Sequence, residues 1–125
     1  MKVLLSIKPE YVNKILAGEK IFEFRRKLFK RDDVDTIVIY SSAPVQRVVA
    51  EASIDAILTD TPERLWHDTH ECGGISYDKY KNYFHDTDAA YAIKFKQVTP
   101  LEAPALLNEY APQISRPPQS FAYIA

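Results

Sequence analysis

Met1-Lys-Val-Leu-Leu-Ser-Ile-Lys-Pro-Glu-Tyr-Val-Asn-Lys-Ile-Leu-Ala-Gly-Glu-Lys-Ile-Phe-Glu-Phe-Arg-Arg26 reads as strand, helix, turn and strand. Residues 2–7 are apolar and β-rich, the pattern of a short buried strand. Pro9 suits the first turn of a helix, where no amide hydrogen is needed. Tyr11, Val12, Ile15 and Leu16 repeat at helical spacing, so a two-turn helix with one apolar face is expected over 9–17. Gly18 is placed to end it, because glycine takes the left-handed conformation without penalty. A strand is expected next, from about 20 to 26. Alternation puts Phe22 and Phe24 on one face and Ile21, Glu23 and Arg25 on the other, with Lys20 beside them at the turn.

Further elements extend outward from this unit. Thr36–Tyr40 is apolar on both faces and predicts a central strand, broken by Ser41-Ser-Ala-Pro44. Val48–Leu58 is a long strand candidate. Thr61-Pro62-Glu63 combines an N-cap, a first-turn proline and a first-turn acid, opening a helix that carries Leu65 and Trp66. Cys72-Gly73-Gly74 reads as a loop. Ser76 caps a helix with Tyr77, Tyr80, Tyr83 and Phe84 along one side, a core face rather than a stacking platform. Tyr91, Ile93 and Phe95 alternate with Lys94 and Lys96 as a strand, and Pro100 and Pro104 are expected to break the next stretch of chain. Leu106–Tyr110 forms one helical turn. After Pro117-Pro118 the tail is extended, with Phe121 and Tyr123 alternating with Ala122 and Ile124. This order predicts an α+β fold: a small, mostly antiparallel sheet of at least five strands, curled into a barrel, with three flanking helices.

The chain has 125 residues, 46% hydrophobic and 26% charged, which favours one globular domain over 1–125 and excludes a disordered or fibrous chain. A single cysteine excludes an internal disulfide and suits a reducing, cytoplasmic setting. No apolar run approaches the roughly 18–20 residues that span a bilayer, and the N-terminus is too soon interrupted for a signal peptide. The net charge of −1 hides an uneven distribution. Residues 20–31 hold six basic side chains (Lys20, Arg25, Arg26, Lys27, Lys30 and Arg31) against Glu23, a local +5 that leaves −6 elsewhere. Asp32, Asp33 and Asp35 come directly after and screen its end. A basic stripe interleaved with Phe22, Phe24 and Phe29 fits an anion or nucleic-acid footprint. It equally fits a strand with aromatics in the core and charges in water.

Most other chemistries lack their residues. His67, His70 and Cys72 lie close in sequence, with His85 further on. Zinc needs three or four nitrogen or sulfur ligands, and only one thiolate exists, so no metal is assigned. Cys72 matches no nucleophile signature. With three glycines there is no phosphate loop, no Gly-x-Gly-x-x-Gly and no Gly-x-Ser-x-Gly elbow, and no cofactor is implied. The outward face of the strand at 20–26 remains. There Lys20 and Glu23 could form a proton shuttle or a plain ion pair, and Arg25 offers a planar fork of donors to phosphate or a base edge.

Leu5-Ser-Ile-Lys-Pro-x-Tyr11, Ile15-Leu-Ala-Gly-Glu-Lys20 and Phe22-Glu-Phe-Arg-Arg26 together resemble the ASCH (activating-signal-cointegrator homology) family. The resemblance continues through Ile39–Pro44, Tyr91–Lys94 and the tail from Pro117 to Ile124. It implies a PUA-like fold, a five- or six-stranded barrel flanked by helices, with a cleft lined by the Gly-x-Lys and Glu-x-Arg element. It also implies RNA or nucleotide binding, often in transcription or translation. By position the cleft would present Lys20, Glu23 and Arg25, with Ser6, Lys8, Gln119 and Ser120 as neighbours and Arg26 and Lys27 facing phosphate at the rim. One branch of the family hydrolyses N4-acetylcytidine with a lysine matched by Lys20, a threonine nucleophile three residues later and a later glutamate, for which Glu71 is the candidate in this chain. Here Glu23 stands at the threonine position, and a carboxylate does not replace the acylated hydroxyl. Another branch is linked to RNA cleavage. The expectation is therefore an RNA- or nucleotide-binding module. The rival is a hydrolase of a modified nucleoside or RNA, with Lys20 and Glu23 as catalytic candidates. A third option is a domain whose basic stripe meets an acidic protein.

Overall fold

The computed structural model describes residues 1–125. Six strands form one sheet: β1 (Lys2–Ile7), β2 (Phe22–Arg25), β3 (Thr36–Ser41), β4 (Arg47–Asp60), β5 (Ala90–Ala105) and β6 (Ala122–Ile124). Their spatial order is β2-β5-β4-β3-β1-β6. Only β1 and β3 pair in parallel; every other neighbouring pair is antiparallel. The helices are α1 (Pro9–Leu16), α2 (Pro62–Thr69), α3 (Tyr77–Tyr83) and the single turn α4 (Leu107–Tyr110), with a 3-10 turn at His70–Cys72. The α+β class, the mostly antiparallel sheet and its curl agree with the sequence expectation.

Local chemistry explains the helix ends. Pro9 opens α1, and Gly18, at φ +80°, turns the chain back after it. The Thr61 hydroxyl accepts from the Arg64 amide, and the Ser76 hydroxyl accepts from the Lys79 amide. Each side chain thereby satisfies an amide that the helix itself leaves free.

The curl comes from the two long strands. β4 runs 14 residues and β5 runs 16, and their ladder carries three register shifts. Such irregularities increase twist and bend a strand, so the sheet wraps instead of lying flat. It does not close. No ladder joins the edge strands β2 and β6, which corrects the expected closed barrel. Pro100 and Pro104 also fail to end β5. β2 pairs only with Tyr91–Lys94, so the later part of β5 has one open edge. A proline needs no partner there, and Pro104 falls in the stretch bulged out between the Ala50–Pro100 and Val48–Ala105 pairs.

The inner face of the sheet holds the largest buried cluster, which includes Val3, Leu5, Ile37, Ile39 and Ile93 with Val12 and Ile15 of α1. Phe22 and Phe24 point the other way, packing with Leu65 of α2 and Tyr80 and Phe84 by α3. A third cluster joins Leu4, Val38 and Val48 to Leu107 of α4. β2 thus shares its two faces between separate clusters. Glu23 pairs directly with Ile93, and opposed residues in an antiparallel ladder project to the same side. Glu23 and Arg25 therefore face inward. The sequence expectation of an outward, solvated charged face is corrected, because curling turns that side of β2 toward β1.

Replacing Gly18 by alanine should lower unfolding stability by about 1–2 kcal/mol, since the left-handed backbone penalises a Cβ even though open space surrounds it. Urea unfolding of Gly18→Ala against the parent chain measures this, and Gly18→Asn should lose less.

Candidate functional site

Lys20 comes directly after the α1 turn and is only 2% exposed. Its Nζ donates to the Gly73 carbonyl at 2.6 Å. It also lies 4.7 Å from the centroid of the Phe24 ring and 5.3 Å from that of Tyr11. The strand after it is stitched to the same loop: the Ile21 amide donates to Cys72 O at 3.0 Å, and Lys14 Nζ donates to Gly74 O at 3.2 Å. Three consecutive carbonyls thus receive donors from the α1–β2 hairpin. Gly74, at φ +64°, lies so close that a Cβ there would sit 2.6 Å from Lys20 Cβ. Burial, with help from Lys14 and Arg25 and against the pull of Glu23, lowers the Lys20 ammonium from 10.5 to about 8.

Arg25 is the second fixed cation. Its guanidinium donates to the Ser6 carbonyl at 3.0 Å and the Ser120 carbonyl at 3.3 Å, and it lies 2.9 Å from Glu23 Oε2. These contacts span the gap between β2 and the β1–β6 edge. Its Nε and the hydroxyl of Ser6 are buried without a hydrogen-bond partner.

A cleft of about 580 Å³ opens beside these groups. Ser6, Lys8, Lys20, Glu23, Arg25 and Arg26 all line it, so six of the residues singled out in the sequence meet at one place. Ser120 contributes its main-chain carbonyl to Arg25, whereas Gln119 is exposed and outside the lining. Glu71, His67, His70 and Cys72 are exposed and outside it as well. His70 Nδ1 is 3.0 Å from the Trp66 carbonyl, and no three metal-ligating side chains converge.

Sequence reading missed the opposite wall. Glu10 and Tyr11 of α1 and Lys79, Asn82 and Tyr83 of α3 also line the cleft. Positions 79, 82 and 83 stand at i, i+3 and i+4, one stripe of a helix. Tyr80 and Phe84 hold the buried face instead. That spacing was a usable signal, hidden because the whole aromatic run reads as core. Lys79 reaches Glu10 across the cleft at 3.4 Å. Burial and the Glu10 carboxylate raise the Tyr11 phenol, against the pull of Lys79, which keeps it a donor. Five basic side chains (Lys8, Lys20, Arg25, Arg26, Lys79) face two acids (Glu10, Glu23) in a protein of net charge −1.

The ASCH domain family profile matches residues 5–99. The chain belongs to the ASCH domain family. An ASCH domain-containing ribonuclease of Zymomonas mobilis is 29% identical over 125 residues, covering 98% of this chain and 84% of its own length. The crystal structure of ASCH from Zymomonas mobilis superposes at a TM-score of 0.89 with 28% identity, covering 99% of this chain and 87% of that one. The N-terminal domain of Staphylothermus marinus McrB shares the fold alone, at 13% identity and a TM-score of 0.54, covering 91% of this chain and 81% of its own. In this ASCH chain Gly-x-Lys and Glu-x-Arg are thus two halves of one buried charged element.

The lowered Lys20 value carries a linkage signature. Between pH 8 and pH 10.5 the unfolded chain binds a proton at this lysine that the folded chain has released, so stability rises with pH across that window. The stability of the parent chain minus that of Lys20→Met should increase by about 3 kcal/mol over this range. Chemical denaturation at stepped pH tests it; a flat or falling difference contradicts the buried-ammonium assignment.

Proposed function

We propose that this ASCH chain binds single-stranded RNA or a free nucleotide in the cleft between β2, α1 and α3. The observation that carries the reading is the convergence of Lys20, Arg25 and the unpartnered Ser6 Oγ and Arg25 Nε on one cleft. Its volume of about 580 Å³ falls among pockets that hold small ligands, typically ~300–1,000 Å³. Buried polar atoms without partners cost free energy, and a ligand oxygen would satisfy them after a small side-chain adjustment. Lys8 and Arg26, at the exposed rim, attract the phosphates. The ribonuclease name of the Zymomonas mobilis relative, similar along nearly the whole chain, supports RNA as the ligand class. A single cationic cleft on an otherwise acidic protein favours a strand that meets it at one place over a duplex that must be coated.

A second reading, RNA cleavage, is favoured by that relative and by the position of Lys20. An amine lowered to about 8 inside a cleft exchanges a proton near neutrality, as a general base or acid requires. Arg25 would stabilise charge developing on phosphate, and Glu23 would hold the guanidinium in place.

Fluorescence anisotropy with a labelled ten-nucleotide RNA should show binding that weakens with salt. The slope of log affinity on log salt should be about −2 if three phosphates are neutralised. Lys8→Ala with Arg26→Ala should flatten that slope while leaving the fold intact, because both side chains lie at the rim. Absence of binding at low salt sinks the proposal. If the chain cleaves RNA with Lys20 as general base, kcat/KM should rise with pH through a midpoint near 8 and be abolished in Lys20→Met; retained turnover with the same pH step in Lys20→Met excludes Lys20 as the proton carrier.

A further inference from the structure

α3 turns three polar or aromatic groups into the cleft, and one of them has no task in the fold. The Asn82 side chain makes no hydrogen bond with the protein, while its main-chain carbonyl accepts from the His85 amide. Beside it the Arg26 guanidinium lies 5.0 Å from the centroid of the Tyr83 ring. That ring is held edge-on against Phe84, centroids 4.8 Å apart at 69°, and Phe84 is anchored in turn against Phe24 and Tyr80. The chain therefore carries a rigid aromatic support and a planar cation above it, with an amide lining the same cleft. Arg26 is exposed, so the guanidinium plane is open to a further stacked group.

We infer that Asn82, Arg26 and Tyr83 form a base-reading subsite that selects an unpaired adenine. This rests on the RNA-binding reading above and adds which part of the nucleotide goes where: phosphate toward Lys20 and Arg25, base toward α3. A base stacks on guanidinium planes and aromatic rings, and a purine covers more of such a plane than a pyrimidine. The amide of asparagine offers one acceptor and one donor side by side. These match the exocyclic N6 amine and ring N7 of adenine. The corresponding edge of guanine presents two acceptors, so one half of the amide would face an unmatched group. Lys79 stands one turn before Asn82 on the same stripe but is engaged with Glu10, which leaves the amide to read the base.

Anisotropy titrations with labelled rA10, rC10, rG10 and rU10 at one salt concentration test this. The parent chain should bind rA10 about tenfold tighter than rU10 and rG10. Asn82→Ala should bring that ratio to within about twofold with the thermal unfolding midpoint kept, since an exposed helical position tolerates alanine. Arg26→Ala should weaken all four oligonucleotides, the purines most, because it removes a rim charge together with the stacking plane. Equal binding of the four oligonucleotides, preference for another base, or an adenine preference that survives in Asn82→Ala overturns the subsite and leaves the RNA-binding reading standing. Failure of every oligonucleotide to bind overturns both.

Discussion

A single guanidinium stands where a ladder of hydrogen bonds would be needed to close the sheet. Arg25 leaves one edge strand and donates to main-chain carbonyls of Ser6 and Ser120 on the other side of the gap, with Glu23 balancing its charge. An ion pair this buried has a large desolvation cost and gains little net stability over apolar packing. Its consequence here is geometric. A seam bridged by a side chain stays open enough for a cleft to enter it, whereas backbone pairing between the edges would fill the same space. The bulges in the β4–β5 ladder bring the edges near one another, and Arg25 spans what remains of the gap.

The second cation depends on the first through the same strand. Lys20 stands just before β2 and Arg25 ends it; the aromatic residues of the strand pack into the cluster under α2 and α3 while Glu23 and Arg25 turn toward β1. Lys20 is then fixed by the carbonyl of Gly73 and by the Phe24 ring. The glycine pair at 73 and 74 suits this close approach: a Cβ on Gly74 would sit 2.6 Å from Lys20 Cβ, and one on Gly73 would crowd the Phe24 ring at 3.3 Å. A loop that looks featureless in sequence is therefore the wall that holds the lysine.

Much of this is legible in the sequence. The strand–helix–glycine–strand unit, the buried β3, the capped helices at Thr61 and Ser76 and the mixed α+β class arise from periodicity and end signals, which act over a few residues. Lys20, Glu23 and Arg25 also stood out, as a charge concentration on one element. The persistence of β5 through Pro100 and Pro104 was not legible, because it depends on which neighbour lies on each edge. Nor was the contribution of α3, whose Lys79, Asn82 and Tyr83 acquire meaning only from the element they face.

The sequence by itself determined where the elements start and stop and which residues carry concentrated charge, since both are set by neighbours along the chain. Only the tertiary structure decided that the charged face of β2 turns inward, that the sheet stops short of closure and that α3 supplies the opposite wall. Those outcomes depend on how far two long bulged strands curl and on what then stands across the gap. Contacts between residues 19, 53 and 95 positions apart, such as Arg25 with Ser6, Lys20 with Gly73 and Arg25 with Ser120, have no local signature. They exist because burying apolar clusters on both faces of one sheet leaves its edges facing each other.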